Sequence, residues 1–261
     1  MEKQPIGVFD SGVGGTSILN EIVKLLPYED YLYLADSKNA PYGQKSVQQI
    51  KDLCHKNVKW LLAHGAKIIV VACNTATTNA IEELRQTYNV PFIGIEPAIK
   101  PAALNTQTNT IGILATKGTL NSALFSKKVD LYSSKIKIIE VVGKGLVEAI
   151  ESGDLSSDAL KLKLEGFVKP MIAQKIDYLV LGCSHYPYLI PLLKSIVPSG
   201  VKIIDSGEAV AKQTKSVLQN KQLLNAQGRS DLKLYSNSNL NALNQICERA
   251  FKDFDVQFLD F

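Results

Sequence analysis

Arginine is scarce in this chain. Only Arg85, Arg229 and Arg249 occur among 261 residues, so a site for an anion must rely on Lys, hydroxyls, amides or backbone N–H groups. Cysteine is nearly as rare. Cys54, Cys73, Cys183 and Cys247 are too few and too scattered for a disulfide framework, and none forms the C-x-x-C pair of structural zinc. The first apolar run, Ile6 to Phe9, is cut off by Asp10, so no signal-peptide core is present. No run approaches the roughly 18 apolar residues of a membrane span. These absences predict a cytoplasmic chain with reduced thiols and no membrane contact. Neither sign of charge dominates: 29 basic against 25 acidic side chains leave +4. That surplus is too thin for a nucleic-acid binder but suits a small anionic substrate. With 46% hydrophobic and 21% charged residues, the composition is that of a globular protein of one large or two small domains.

Short apolar runs alternate with amphipathic stretches. Ile6 to Phe9, Tyr31 to Leu34, Ile68 to Ala72 and Phe92 to Ile95 read as strands. Val47, Ile50, Cys54, Val58 and Leu61 share one helical face. This alternation predicts parallel sheets flanked by helices. The pattern then repeats. Ile6-Gly7-Val8-Phe9 matches Ile111-Gly112-Ile113-Leu114, and KIIVVAC ending at Cys73 matches DYLVLGC ending at Cys183, 110 positions later. PFIGIE from Pro91 and VKIIDS from Val201 keep that offset. The expected fold is therefore α/β, with two similar domains and an active site in the cleft between them. The segment after Asp205 has no counterpart and is assigned by economy to the first domain. The expected division is 1–97 plus 208–261 for the first domain and 98–207 for the second, with the first crossing near Pro97 to Pro101.

Ligands of open parallel sheets bind beyond the carboxyl ends of the strands. Four loops lie there: Asp10-Ser11-Gly12-Val13-Gly14-Gly15, Cys73-Asn74-Thr75, Thr116-Lys117-Gly118-Thr119 and Cys183-Ser184-His185. If the halves face one another, Cys73 and Cys183 point into one cleft. Asn74 and Thr75 read as caps of a following helix, whose dipole would favour a Cys73 thiolate. A helix beginning at Pro187 would follow Cys183, with His185 placed to orient or protonate a sulfur. Two thiols that do not bond to each other suit proton transfer on both faces of one carbon, one removing a proton while the other delivers one.

Blander readings stand beside this one. A lone strand-end cysteine is more often a small buried hydrophobe than a base, and only the matching of two such positions argues otherwise. Cys54, and Cys247 with Leu240, Leu243 and Phe251, read as core residues. His55 and His64 read as solvent-facing. Asp10 could cap a turn or stand beside a cysteine. The Gly12-Val13-Gly14-Gly15 loop lacks both the Gly-Lys-Ser/Thr ending of a phosphate loop and dinucleotide-fingerprint spacing. A zinc site from Cys73, Cys183 and His185 is disfavoured by the spacing, and no metal is expected.

In combination the motifs resemble one family. IGVFDSGVGG from Ile6, DSKNAPYG from Asp36, ACNTAT from Ala72, ATKGT from Ala115, IESG from Ile150 and LGCSHYP from Leu181 occur in the order seen in glutamate racemases. These are cofactor-independent members of the aspartate and glutamate racemase family. His185 favours the glutamate branch, since aspartate racemases typically carry Glu there. The last fifty or so residues are weakly diagnostic.

The resemblance implies that Cys183 takes the α-proton of L-glutamate and Cys73 that of D-glutamate. Asp10 would assist Cys73, and His185, with Glu151 nearby, would assist Cys183. Asp10, Ser11, Tyr42, Gly43, Asn74, Thr75, Thr119, Ser184 and His185 would surround the substrate. It further implies no cofactor, a homodimer, and a supply of D-glutamate for peptidoglycan. Ser184 departs from the family's usual Thr by one methyl, and Lys38 and Asn39 receive no role. The first strand, beginning at Ile6, is expected to leave no room for a regulatory N-terminal extension. Three rivals remain: an aspartate racemase, a two-domain amino-acid binding protein without chemistry, and a redox or metal protein using the same cysteines.

Overall fold

The computed structural model describes residues 4–261. Ten strands, β1 (Ile6–Asp10), β2 (Tyr31–Ala35), β3 (Ile68–Val71), β4 (Phe92–Gly94), β5 (Thr110–Ala115), β6 (Lys137–Val142), β7 (Tyr178–Gly182), β8 (Lys202–Ile204), β9 (Leu232–Ser236) and β10 (Asp255–Phe258), form two sheets. The first has the order β10-β9-β2-β1-β3-β4 and the second β6-β5-β7-β8, every pairing parallel. The inner strands β1, β3, β5 and β7 are buried at every position. Their unbroken apolar runs are what a parallel sheet covered by helices on both faces requires.

The two halves repeat strand for strand: β2-β1-β3-β4 and β6-β5-β7-β8 have the same order and direction. One detail of the repeat differs from the sequence reading. Ile69 pairs with Phe92, whereas its counterpart Leu179 pairs with Ile203. The fourth strands therefore match one residue off the even 110 spacing, because the helix–loop segment before β8 is one residue longer. The chain passes to the second sheet between β4 and β5, through Pro97 to Pro101 and the helix Ile99–Asn105. It returns between β8 and β9 by the helix Gly207–Asn220, which packs on the helix Thr16–Leu25. β9 and β10 then extend the first sheet beyond β2.

The helix Val47–Ala63 starts at a capping box. Ser46 Oγ accepts the Gln49 N–H at 3.2 Å, and Gln49 Oε1 accepts the Ser46 N–H at 2.9 Å. Ile50, Cys54, Val58 and Leu61 are buried as the periodicity predicts. Val47 is not: at the helix start it lies past the packed face and is 52% exposed. His55 also departs from expectation. It is half-buried between the Tyr88 hydroxyl and the Glu83 carboxylate, each at 2.9 Å, because its helix packs on Asn74–Thr87. His64 is exposed and stacks on Trp60. Cys247 is buried with Leu243 and Phe251, while Leu240 caps the helix Asn241–Ala250 and is only half-buried.

Candidate active site

The carboxyl ends of β1, β3, β5 and β7 converge on one buried cavity. Cys73, Asn74 and Thr75 line it from the first half, and Cys183, Ser184 and His185 from the second. Ser11, Tyr42 and Gly43 close one side, joined by Thr116 from the expected strand-end loop and by Pro41 and Val147, to which sequence reasoning gave no role. Asp10, Glu151 and Thr119 do not line the cavity but stand directly behind residues that do. All four cysteines carry free thiols. Among the described residues, no group of three or more His, Cys, Asp or Glu side chains is arranged to hold a metal ion.

Cys73 is itself the N-cap of the helix Asn74–Thr87, so Asn74 and Thr75 lie inside the first turn rather than capping it. Its Sγ accepts the Ala76 N–H at 3.4 Å and donates to Ser11 Oγ at 3.5 Å. The helix terminus does not produce the expected low pKa. Burial pushes the thiol well up and the Asp10 charge adds to this, outweighing the hydrogen bonds with Ala76 and Ser11. Cys73 is thus held as a neutral thiol in the closed cavity.

Cys183 has different company. No regular helix starts directly behind it: a short 3-10 turn, Tyr186–Leu189, precedes the helix Ile190–Ile196, and Pro187 sits in that turn. Its Sγ lies 3.8 Å from His185 Nδ1. His185 Nε2 lies 2.5 Å from Glu151 Oε1. Burial opposes the charged imidazole, but the hydrogen bonds to Cys183 and Glu151 and the charges of Asp10 and Glu151 hold its pKa well above the usual range. Burial likewise works against Glu151 ionising, and its bonds with His185, Ser37 and the Val13 N–H overcome that and lower its pKa. The result is a buried ion pair directly behind one thiol and not the other.

The glycine loop after β1 has a role that its motif did not reveal. Val13 N–H donates to Glu151 Oε1 at 2.7 Å. A Cβ on Gly12 would lie 1.9 Å from that same oxygen, and one on Gly14 would lie 2.2 Å from His185 Nδ1. These glycines let the loop of one half close on the ion pair of the other, a close approach that no side chain permits. Asp10 anchors the loop by accepting the Gly12 and Gly15 N–H groups at 3.2 and 3.0 Å. Its other oxygen accepts Ser184 Oγ at 3.0 Å, and its carboxylate lies 3.9 Å from His185 Nδ1. It makes no hydrogen bond to Cys73 among the described residues. Burial raises its pKa, and the Glu151 charge acts in the same direction.

Apart from His185, the polar groups for a ligand come without a cationic side chain: no Lys or Arg lines the cavity. Both amide atoms of buried Asn74 lack a partner. Across the cleft, Thr75 Oγ1 meets Thr116 Oγ1 at 2.8 Å and Thr119 Oγ1 at 3.2 Å. The Tyr42 hydroxyl is turned away to Asp36 at 2.5 Å, so only its ring and backbone face the cavity. The enclosed space is about 10 Å³, room for about one water. A cavity of about 430 Å³ adjoins it and shares the walls Pro41, Gly43, Thr116 and Val147.

Comparison with known proteins agrees with this architecture. The model of the Asp/Glu/Hydantoin racemase family matches residues 6–214. The glutamate racemase of Ectopseudomonas mendocina (strain ymp) is 46% identical over 245 residues, 94% of this chain and 93% of that protein. Two solved structures superpose over nearly all of the chain. A glutamate racemase isoform from Bacillus anthracis gives a TM-score of 0.89 at 29% identity, covering 100% of this chain and 98% of that one. Escherichia coli glutamate racemase, solved with L-glutamate and the activator UDP-MurNAc-ala, gives 0.86 at 30% identity, covering 98% of each. No helix among the described residues is long and apolar enough to cross a membrane. Two repeated α/β halves, a free thiol from each on one cavity, and these likenesses lead to one identification: the chain is a racemase and belongs to the Asp/Glu/Hydantoin racemase family.

Proposed function

We propose that this racemase interconverts L- and D-glutamate without a cofactor, using Cys183 and Cys73 as the two acid/base groups. The observation that carries the reading is that two unbonded thiols line one buried cavity from equivalent strand ends of opposite halves. In the L to D direction, Cys183 as thiolate takes the α-proton and becomes a thiol. Cys73 gives its S–H proton to the opposite face and becomes a thiolate. The reverse reaction exchanges the roles, so atoms and charge balance in both directions. His185, paired with Glu151, exchanges a proton with Cys183. At Cys73 the corresponding help comes from the Ser11 hydroxyl, the Ala76 N–H and the substrate ammonium, whose positive charge opposes the burial that otherwise keeps this thiol protonated. Asn74 and the Thr75 and Thr116 hydroxyls are the donors for the substrate carboxylates and for charge developing on the α-carboxylate, while the Ser184 hydroxyl, which donates to Asp10, lines the site beside Cys183.

A cavity of about 10 Å³ cannot admit an amino acid, so turnover requires the halves to part. We take the moving bodies to be 1–97 with 208–261, and 98–207. Ser17 Oγ to the Ser184 carbonyl (2.8 Å), Thr16 to Tyr188 (2.6 Å) and the Glu151 contacts with Val13 and Ser37 then break and reform. The resemblance in sequence supports a cytoplasmic role in supplying D-glutamate for peptidoglycan, and a homodimer, which sedimentation would test.

The direct test is incubation with L-glutamate, no cofactor added and reducing agent present, with D-glutamate followed by chiral chromatography. Both enantiomers of aspartate are run in parallel. Interconversion of glutamate is expected. Turnover of aspartate alone would overturn the substrate, and glutamate binding without turnover would overturn the chemistry.

A further inference from the structure

One of the buried polar networks that the mechanism leaves unused reaches the cavity from the C-terminal segment. β2 and β9 pair in the register Ala35 opposite Ser236, so the next residues, Asp36 and Asn237, leave the sheet side by side. Asp36 is fully buried and Asn237 is 4% exposed. Asn237 Nδ2 donates to Asp36 Oδ1 at 2.5 Å, and its Oδ1 accepts the Lys38 N–H at 2.9 Å. Both ends of this one amide therefore grip the loop that starts at Asp36. The same carboxylate accepts Asn39 Nδ2 at 2.8 Å and the Tyr42 hydroxyl at 2.5 Å, and Asn57 Nδ2 donates to that hydroxyl at 3.2 Å. A few residues along, Pro41, Tyr42 and Gly43 form one wall of the catalytic cavity.

Resting on the glutamate racemase reading above, we infer that Asn237 is a positioning residue: through Asp36 and Lys38 it sets the height of the Pro41–Gly43 wall against the substrate. The physical reason is connectivity. Beyond the short 3-10 turns Ser37–Asn39 and Tyr42–Gln44 this segment has no ladder, so its position depends strongly on the side-chain bonds that hold it. Removing the Asn237 amide leaves one acceptor site of a buried carboxylate and one backbone N–H without their partners, and the cheapest relief is for the loop to move toward water. The wall would then meet the substrate less well in both enantiomeric forms, while the two thiols, held by β3 and β7, stay in place. The expected signature is weakened binding with turnover largely preserved.

Asn237→Ala should raise KM about ten-fold for both L- and D-glutamate, with kcat changed less than about three-fold. Cys247→Ala, a core truncation in the neighbouring helix of the same segment, should lower Tm and leave KM at the parental value. Asn237→Ser, a milder change, should show a smaller KM rise in the same direction and decides the matter if the alanine variant does not fold. A parental KM in a folded Asn237 variant, whatever its Tm, would overturn the inference while leaving the racemase reading intact. A parent chain that does not turn over glutamate would instead overturn the reading, and this inference with it.

Discussion

The two halves of this molecule present the same atom, a cysteine Sγ at the end of a buried parallel strand, in two different electrostatic settings. Cys73 caps a fourteen-residue helix and is surrounded by a hydroxyl, a backbone amide and apolar core. Cys183 leads into a 3-10 turn and is backed by the His185–Glu151 ion pair, with Asp10 beyond it. Fold symmetry alone would give two equal bases. The difference teaches that the repeat fixes where the sulfurs are, while the loops around them decide which charged groups stand behind each. In particular, Glu151 receives a backbone N–H from the glycine loop of the opposite half, so the pair behind Cys183 is held in part from across the cleft.

The largest effect should come from removing either member of the pair. Cys73→Ser and Cys183→Ser should each lower racemisation by about 10³-fold or more, as expected for losing a positioned acid or base. The Cys73→Ser variant should still remove the α-proton of an L-configured analogue carrying a β leaving group, and the Cys183→Ser variant that of the D analogue. If either variant acted equally on both configurations, the assignment of one thiol to each face would be wrong.

Next in size is the glycine approach. Gly14→Ala would place a methyl 2.2 Å from His185 Nδ1, so closure must fail or the imidazole must move. A displacement of that order should lower kcat/KM by about 100-fold. Since a methyl at Gly65 meets nothing within 4 Å, any change at that site would come from its positive φ alone, not from the cleft. Stopped-flow rates of closure against the parent would show the Gly14 effect.

His185→Asn sharpens the contrast most. Two enantiomers have equal free energy, so kcat/KM must fall equally in both directions whatever the mutation. The asymmetry must appear elsewhere. With His185 gone, proton removal by Cys183 becomes more rate-limiting, so the α-deuterium isotope effect should grow for L-glutamate more than for D-glutamate. Equal growth in both directions would contradict separate supports for the two thiols.

The same pair sets a pH dependence of stability. His185 has a folded-state pKa raised above 6.5, so its contribution is complete below about pH 6.5 and is lost as pH rises through the folded value. Glu151 is lowered, so its contribution is present above the usual carboxylate pKa near 4.5 and is lost as pH falls through the folded value. Asp10 is raised and acts with the opposite sign, costing stability once it ionises. Tm should therefore be highest from about pH 5 to 6.5 and decline above it. His185→Asn should flatten the alkaline decline, which scanning calorimetry across pH would read. The smallest effect expected is for Ser184→Thr, which adds one methyl beside a hydroxyl already bonded to Asp10 and should change kcat/KM less than about three-fold.

Much of this was legible in the sequence because buried parallel strands are unbroken apolar runs. The ends of β1, β3, β5 and β7, and hence Asp10, Cys73, Thr116 and Cys183, could be placed from pattern alone. What escaped depends on distances between segments far apart in sequence. Thr116 and Thr119 sit in one motif, and only backbone direction puts the first on the cavity and the second behind it. The helix end does favour a thiolate at Cys73, but the cost of burying that charge is larger, and a sequence does not show depth. The glycine loop looked uninformative because its partners, Glu151 and His185, are in the other half. Asn237 carried no signal at all, being one polar residue in a weakly patterned tail until β9 pairs with β2.

The most direct measurement is the fate of solvent deuterium in the first turnovers. L-glutamate is incubated with the protein in deuterated water, and after a few per cent conversion the α-position of each enantiomer is read by proton NMR and mass spectrometry. Two thiols on opposite faces predict D-glutamate that carries deuterium while the remaining L-glutamate keeps its α-proton. Deuterium accumulating equally in both enantiomers, or D-glutamate that retains the original proton, would mean one group serves both faces and would contradict the division of labour between Cys73 and Cys183.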